Sequence, residues 1–218
     1  MQAEKLTPQG AKCEVAKCVT GATGLCNNIL LSEQIHSEIA IEALERQAAE
    51  EVAKIPRTPY KHFAEVDEFM QQFDPGVCMD RRKSLVLDGP SKFGKTLFAE
   101  SLAPEGQSVQ VCCANVQDEP PLQTSYRPEK HGLILFDELT AEVFVRNKLL
   151  FQGPQKRVTL GATRTNRFTF GAFVFRKKMV ICSNHWKRDV KQLSKADQKW
   201  IAANTIYLRV KAPLWEQV

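Results

Sequence analysis

The seven cysteines of this 218-residue chain, at positions 13, 18, 26, 78, 112, 113 and 182, form no CxxC pair. The spacing over 13, 18 and 26 fits no common zinc pattern, and an odd count argues against a closed set of disulfides. Reduced thiols in a cytosolic or nuclear compartment are the expectation. The opening stretch MQAEKLTPQGAKCEVAKC lacks the apolar core of a signal peptide, and no apolar run approaches a membrane span. A soluble, intracellular protein with no membrane partner is therefore expected. There is no internal repeat and no low-complexity tract. A large charge excess is missing too: the net charge of +5 and the pI near 8.8 permit nucleic-acid binding without demanding it. What is present, 43% hydrophobic residues, suffices for one core or one compact domain with an appendage.

Along the chain, residues 1–31 are mixed, with Gly21, Gly24, Asn27 and Asn28 marking turns, and are a candidate for loose order. From Ser32, a plausible N-cap, SEQIHSEIAIEALERQAAEEVAKI reads as a long helix with Ile35, Ile39, Ala43, Ala48, Val52 and Ile55 at near-helical spacing. Its Glu-rich face reads as solvated. Pro56 and Pro59 break it, and a shorter helix follows in HFAEVDEFMQQF. The clearest boundary signal is Asp74, Pro75 and Gly76, which divides an N-terminal helical segment (1–75) from a second domain (76–218). In that second part, short β-rich runs recur: SLVLD (84–88), SVQVCC (108–113), GLILFD (132–137), RVTLG (157–161), KMVICS (178–183) and TIYLRV (205–210). Helical patterns KTLFAESLA and LTAEVFVRNKLLF lie between them. Several strands are apolar throughout, as expected when helices cover both faces of a parallel sheet. The expected fold class is an α/β sandwich with a mainly parallel sheet.

GPSKFGKT, residues 89–96, matches G-x-x-x-x-G-K-[ST] at every fixed position. Gly89 and Gly94 allow backbone turns that point successive N–H groups inward as an anion nest. Pro90, Ser91, Lys92 and Phe93 fill the loop. The helix that begins near Lys95 adds its positive end. Lys95 is expected on the β- and γ-phosphates of ATP and the Thr96 hydroxyl on Mg²⁺. The loop follows an apolar strand and opens a helix, the context such a motif requires. The plain alternative is a chance match on a strand–turn–helix.

Hydrolysis needs a second Mg²⁺ ligand and a group that polarises water. LILFDE places Asp137 and Glu138 after a buried-looking strand, where ligands sit in open α/β sheets. Asp137 is the expected Mg²⁺ ligand and Glu138 the base that orients the attacking water. Alternatively, Asp137 caps the next helix. KMVICSNHW ends another apolar strand at Asn184, whose amide is able to hold the γ-phosphate and the lytic water, or simply starts a turn.

GPSKFGKT, LILFDEL and MVICSN at these intervals resemble the superfamily 3 helicase domain of replication-initiator (Rep) proteins of small circular single-stranded DNA viruses, and of their relatives in eukaryotic genomes. The resemblance spans about residues 60–212. It implies a Walker A pair at Lys95 and Thr96, Walker B acids at Asp137 and Glu138, and a sensor at Asn184. It further implies an AAA+-like P-loop fold, a homo-oligomeric ring (usually a hexamer) with ATP between subunits, and travel on single-stranded DNA. The family's DNA-gripping hairpin falls in LGATRTNRFTFGAFVFRKK, with Arg164 and Arg167 at the tip and Arg176, Lys177 and Lys178 following. A solvated hairpin with incidental arginines is the alternative.

Three departures stand out. Residues 1–75 hold neither the His-hydrophobic-His nor the Tyr-x-x-Lys of a Rep nuclease; His36 and His62 are isolated and Tyr60 is followed by KHF. Nicking and joining are not expected. The usual Arg-Arg of the trans-acting finger reads Ala202, Ala203 and Asn204 here, with Arg188 and Arg209 the nearby arginines. Arg209 is expected to alternate outward from its strand, and ATPase activity is expected to be weak or DNA-dependent. A DNA motor thus competes with a self-assembling nucleotide-binding module of little hydrolysis. A small-metabolite P-loop kinase is disfavoured by the lack of an arginine-rich lid.

Overall fold

The computed structural model of the chain describes residues 39–41, 43, 44, 46–48, 50, 51, 59–77, 79, 81–113, 126–160 and 170–216. The chain divides into two units, Met1–Arg57 and Thr58–Val218. In the first, the described positions from 39 to 51 are helical and exposed, Ile39 and Leu44 included. This agrees with the middle of the long helix expected there; its Ser32 cap and the rest of residues 1–38 lie outside the described residues.

The second unit is built on five parallel strands: β1 (Ser84–Asp88), β2 (Ser108–Cys113), β3 (His131–Asp137), β6 (Lys178–Ser183) and β7 (Thr205–Arg209), in the order β2-β3-β6-β1-β7. β4 (Val158–Leu160) and β5 (Phe170–Ala172), which lie between β3 and β6 in the chain, pair antiparallel as a separate two-stranded sheet. The α/β sandwich with a mainly parallel sheet is therefore present. Successive residues of a strand point to opposite faces, so an apolar run serves two cores at once. Val86, Ile134, Phe136 and Ile181 enter one core, with Phe144, Phe151, Trp186 and Ile201. Leu85, Leu87, Leu133, Leu135, Val180 and Cys182 enter the other, with Val66, Phe69, Phe98 and Ala99. The first core is covered by α3 (Ala141–Arg146), α4 (Lys148–Phe151), α5 (Trp186–Gln192) and α6 (Lys195–Asn204); α1 (Ala64–Gln71) and α2 (Lys95–Ser101) cover the second.

Two expectations are corrected. The expected break at Asp74–Gly76 lies inside the second unit, because Val66 and Phe69 of α1 are buried against the sheet and Gln72 receives the Lys83 N–H at 2.7 Å. The helical run LTAEVFVRNKLLF is two helices: Asn147 (φ −108°) separates α3 from α4, and its side-chain amide donates to the Val143 carbonyl at 2.9 Å. Among the described residues no helix is long and apolar enough to cross a membrane.

The tail after β7 is tied back to the start of this unit. Leu214 donates its N–H to Phe93 O at 3.1 Å, Lys61 N–H to Leu214 O at 2.8 Å, and Glu216 N–H to Pro59 O at 2.8 Å. The loop between β1 and α2, which contains Phe93, thus has a fixed backing.

Candidate functional site: a phosphate cleft at the strand ends

The loop 89–94 joins β1 to α2 at the C-terminal edge of the sheet. Its two glycines are needed for different reasons. Gly94 is the left-handed N-cap of α2 (φ 79°), while Gly89 is required by close approach: a Cβ there would stand 2.2 Å from Val210 O. Lys92 is also left-handed (φ 67°), so the loop doubles back twice within three residues. Pro90 and Ser91 are exposed, and Phe93 is half-buried beneath the tail.

Lys95 is 8% exposed, and its ammonium is held in place by Gly89 O at 2.7 Å, Pro90 O at 2.8 Å and Asn184 Oδ1 at 2.9 Å. Burial pulls its pKa below the ordinary lysine value, opposed by the carboxylates of Asp137, Asp88 and Glu138. Thr96 Oγ1 donates to Asp137 Oδ2 at 3.3 Å. Ser91, Lys92, Gly94, Lys95, Thr96, Asp137, Glu138 and Asn184 all border one cleft of about 280 Å³. Residues far apart in sequence, from the β1–α2 loop and the ends of β3 and β6, are brought together on this cleft. Cys182 also lines the cleft, where burial raises its thiol pKa well above the usual range and keeps it protonated.

Glu138 sits in a left-handed conformation (φ 57°), uncommon for a residue with a Cβ. Such strain persists only where surrounding structure enforces it, and it turns this carboxyl out of the strand line at the cleft's edge. Thr96 and Asp137 offer adjacent hard oxygens of the kind Mg²⁺ accepts. Among the described residues no group of three or more His, Cys, Asp or Glu forms a complete metal cage.

Elsewhere in this unit, several residues behave differently from expectation. Lys178 is 7% exposed; its ammonium donates to Leu102 O at 2.9 Å and lies over the Phe73 ring, so it is a buried structural lysine and not a DNA contact. Lys177 donates to Pro128 O at 2.5 Å, and burial lowers its pKa. Arg176 is exposed, left-handed (φ 61°) and stacked on Phe175. Arg164 and Arg167 lie outside the described residues. Arg209 is exposed, as expected, but also borders a second cleft of about 590 Å³ with Ser91, Asn184, His185 and Lys211. Arg188 pairs with Asp189 at 3.3 Å, and the Asn204 amide folds back onto Trp200 O at 2.7 Å. Sequence reading missed Asp88 altogether. Its signal was available: SLVLD ends an apolar strand in an acid just as LILFD does.

No protein-family model matches the chain, and no curated protein matches it. Similar solved structures include NtrX from Brucella abortus in complex with ADP (TM-score 0.39, 10% identity, 88% of this chain and 47% of that one). Others are the Saccharomyces cerevisiae Hsp104–ADP complex (0.35, 14%, 64% and 29%) and the apo NrS-1 C-terminal region (0.29, 12%, 56% and 34%). The chain spans about half or less of the length of these proteins.

Proposed function

We propose that this chain binds ATP with Mg²⁺ in the 280 Å³ cleft and hydrolyses it as the motor domain of a Rep-like, superfamily 3 type DNA helicase. The observation that carries the reading is the convergence of Lys95, Asn184, Thr96, Asp137 and Glu138 on that one cleft, from three separate strand ends.

In this reading the Lys95 ammonium exchanges two of its three acceptors for one oxygen each of the β- and γ-phosphates. Thr96 and Asp137 hold Mg²⁺, which when bound neutralises phosphate charge. Glu138 orients a water and takes its proton as the water oxygen attacks the γ-phosphorus, and the bond to the β-bridging oxygen breaks toward ADP. Asn184 donates its amide to the γ-phosphate or the water. Single-stranded DNA is the proposed polymer partner, gripped by Arg164 and Arg167. A homo-oligomeric ring, hexamer favoured, is the proposed assembly, inside the cell.

One observation favours the second reading, a self-assembling nucleotide-binding module with little turnover. The stretch that should supply a finger presents Ala202, Ala203 and an Asn204 bonded to its own helix, and such fingers are worth roughly 10³–10⁵ in rate. Steady-state ATPase with and without single-stranded DNA, on protein of measured oligomeric state, separates the two. DNA-stimulated hydrolysis supports the motor; tight ATP binding with negligible turnover under both conditions supports the module.

A further inference from the structure

Asp88 ends β1 one residue before the phosphate loop, and its carboxylate is committed in three directions. Oδ1 accepts the Trp186 N–H at 3.0 Å; Oδ2 accepts the Lys187 N–H at 3.2 Å and the Tyr207 hydroxyl at 2.8 Å. Helix α5 has no cap of its own, since His185 makes no side-chain cap bond, so Asp88 supplies it from the neighbouring strand. Backbone bonds surround the same point: Gly89 N–H donates to Ser183 O at 3.1 Å and Val210 N–H to Asp88 O at 2.8 Å. One carboxylate therefore joins the end of β1 to the start of α5, which follows β6, and to Tyr207 of β7, beside the point where the loop 89–94 and Asn184 leave the sheet.

Asn184 lies between two anchored points. Ser183 is held by Gly89, Trp186 by Asp88, and the Asn184 side chain reaches Lys95 at 2.9 Å. We infer that Asp88 is a positioning residue for Asn184: with Tyr207 orienting it, the carboxylate fixes the 184–186 turn against the phosphate loop so that the Asn184 amide meets the terminal phosphate of a bound nucleoside triphosphate. This inference rests on the nucleotide-site reading above. A carboxylate suits the task because it accepts all three donors at once; an amide has one acceptor oxygen and would face an N–H or the tyrosine with its own NH₂. Burial and the bond to Asp88 push the Tyr207 pKa up to about 12, so its hydroxyl remains a donor at physiological pH.

The test compares the parent with Asp88→Asn, Tyr207→Phe, Asn184→Ala and the Asp88→Asn/Asn184→Ala double variant. Affinities for ATP and ADP, kcat, KM and Tm are measured on each. The parent is expected to prefer ATP over ADP, and both Asp88→Asn and Asn184→Ala to lose that preference while ADP affinity stays within about threefold. Turnover by Asp88→Asn should fall between about tenfold and a hundredfold with KM little changed, the signature of misplacement rather than unfolding. The double variant should be no worse than Asn184→Ala alone, because residues that act as one unit are not additive. Tyr207→Phe, which keeps the helix cap, should shift in the same direction by less. Parental ATP preference and kcat in Asp88→Asn, or additive losses in the double variant, would overturn the inference and leave Asp88 a structural cap. Should Asp88→Asn fail to fold, Tyr207→Phe decides: unchanged ATP preference and kcat there overturn it. A parent that binds no nucleotide overturns the site reading itself, an outcome visible before any variant is compared.

Discussion

The Trp215 ring lies directly on Gly94: a Cβ at residue 94 would stand 2.6 Å from the nearest ring carbon. The residue that turns the phosphate loop into α2 is thus locked twice, by a left-handed φ of 79° and by an indole from the far end of the unit. Gly94→Ala should therefore abolish nucleotide binding. Adding Trp215→Leu removes the clash but leaves a left-handed alanine, a strain of about 1–2 kcal/mol, so the pair should recover binding only in part. Titration with a fluorescent nucleotide checks this; full recovery in the double variant would show that φ is not the limiting constraint.

Glu138 carries opposite demands from stability and chemistry. Glu138→Gln should keep ATP affinity, trap the bound nucleotide and stop turnover. Glu138→Gly should also stop turnover, yet relieve the left-handed backbone; after glycine's own entropic cost the gain is up to about 1 kcal/mol, or about 2–4 °C in Tm for a chain of this size. Calorimetry alongside the ATPase assay tests both. Parental turnover in Glu138→Gln would show that the base is another group.

Phe144 is the hub of one core, fully buried, with ring centroids 4.3 Å from Phe151, 5.2 Å from Trp200 and 5.4 Å from Trp186. Phe144→Ala should cost about 3–5 kcal/mol in urea unfolding, because it deletes a large side chain from a packed site and leaves a cavity. Since Trp186 opens α5 beside Asn184, nucleotide binding should weaken as well.

The proposed DNA-binding residues separate by salt dependence. Replacing Arg164 and Arg167 together by Ala should flatten the slope of log K against log salt on single-stranded DNA by about 1.4, roughly 0.7 for each phosphate no longer neutralised. Lys178→Met should leave the slope unchanged, because that ammonium is spent on Leu102 O. A slope change at Lys178 and none at the arginines would place the DNA elsewhere.

The parallel strands were legible because a strand buried on both faces must be apolar throughout, and Val86, Ile134 and Val180 sit in runs of that kind. The site was legible where chemistry fixes residue types at short spacing, as from Gly89 to Thr96, or at the polar ends of such strands, as at Asp137 and Asn184. Pairings between residues far apart in the chain were not. Asp88 caps a helix 98 residues on, and no local pattern marks that role. Nor does sequence tell a solvated lysine from Lys178, which is buried with its ammonium on the Leu102 carbonyl. Helix α1 fell on the wrong side of the expected boundary because Pro75 and Gly76 mark a turn equally well within a unit as between two.

The most direct measurement is Mg²⁺-dependent ATP hydrolysis by the parent and by Lys95→Ala, each with and without single-stranded DNA. Hydrolysis by the parent is expected to be slow alone and raised by DNA, and absent in Lys95→Ala, which loses the side-chain cation seated among Gly89, Pro90 and Asn184. A parent that neither binds nor hydrolyses ATP, or a Lys95→Ala variant that turns over like the parent, would contradict the proposed function.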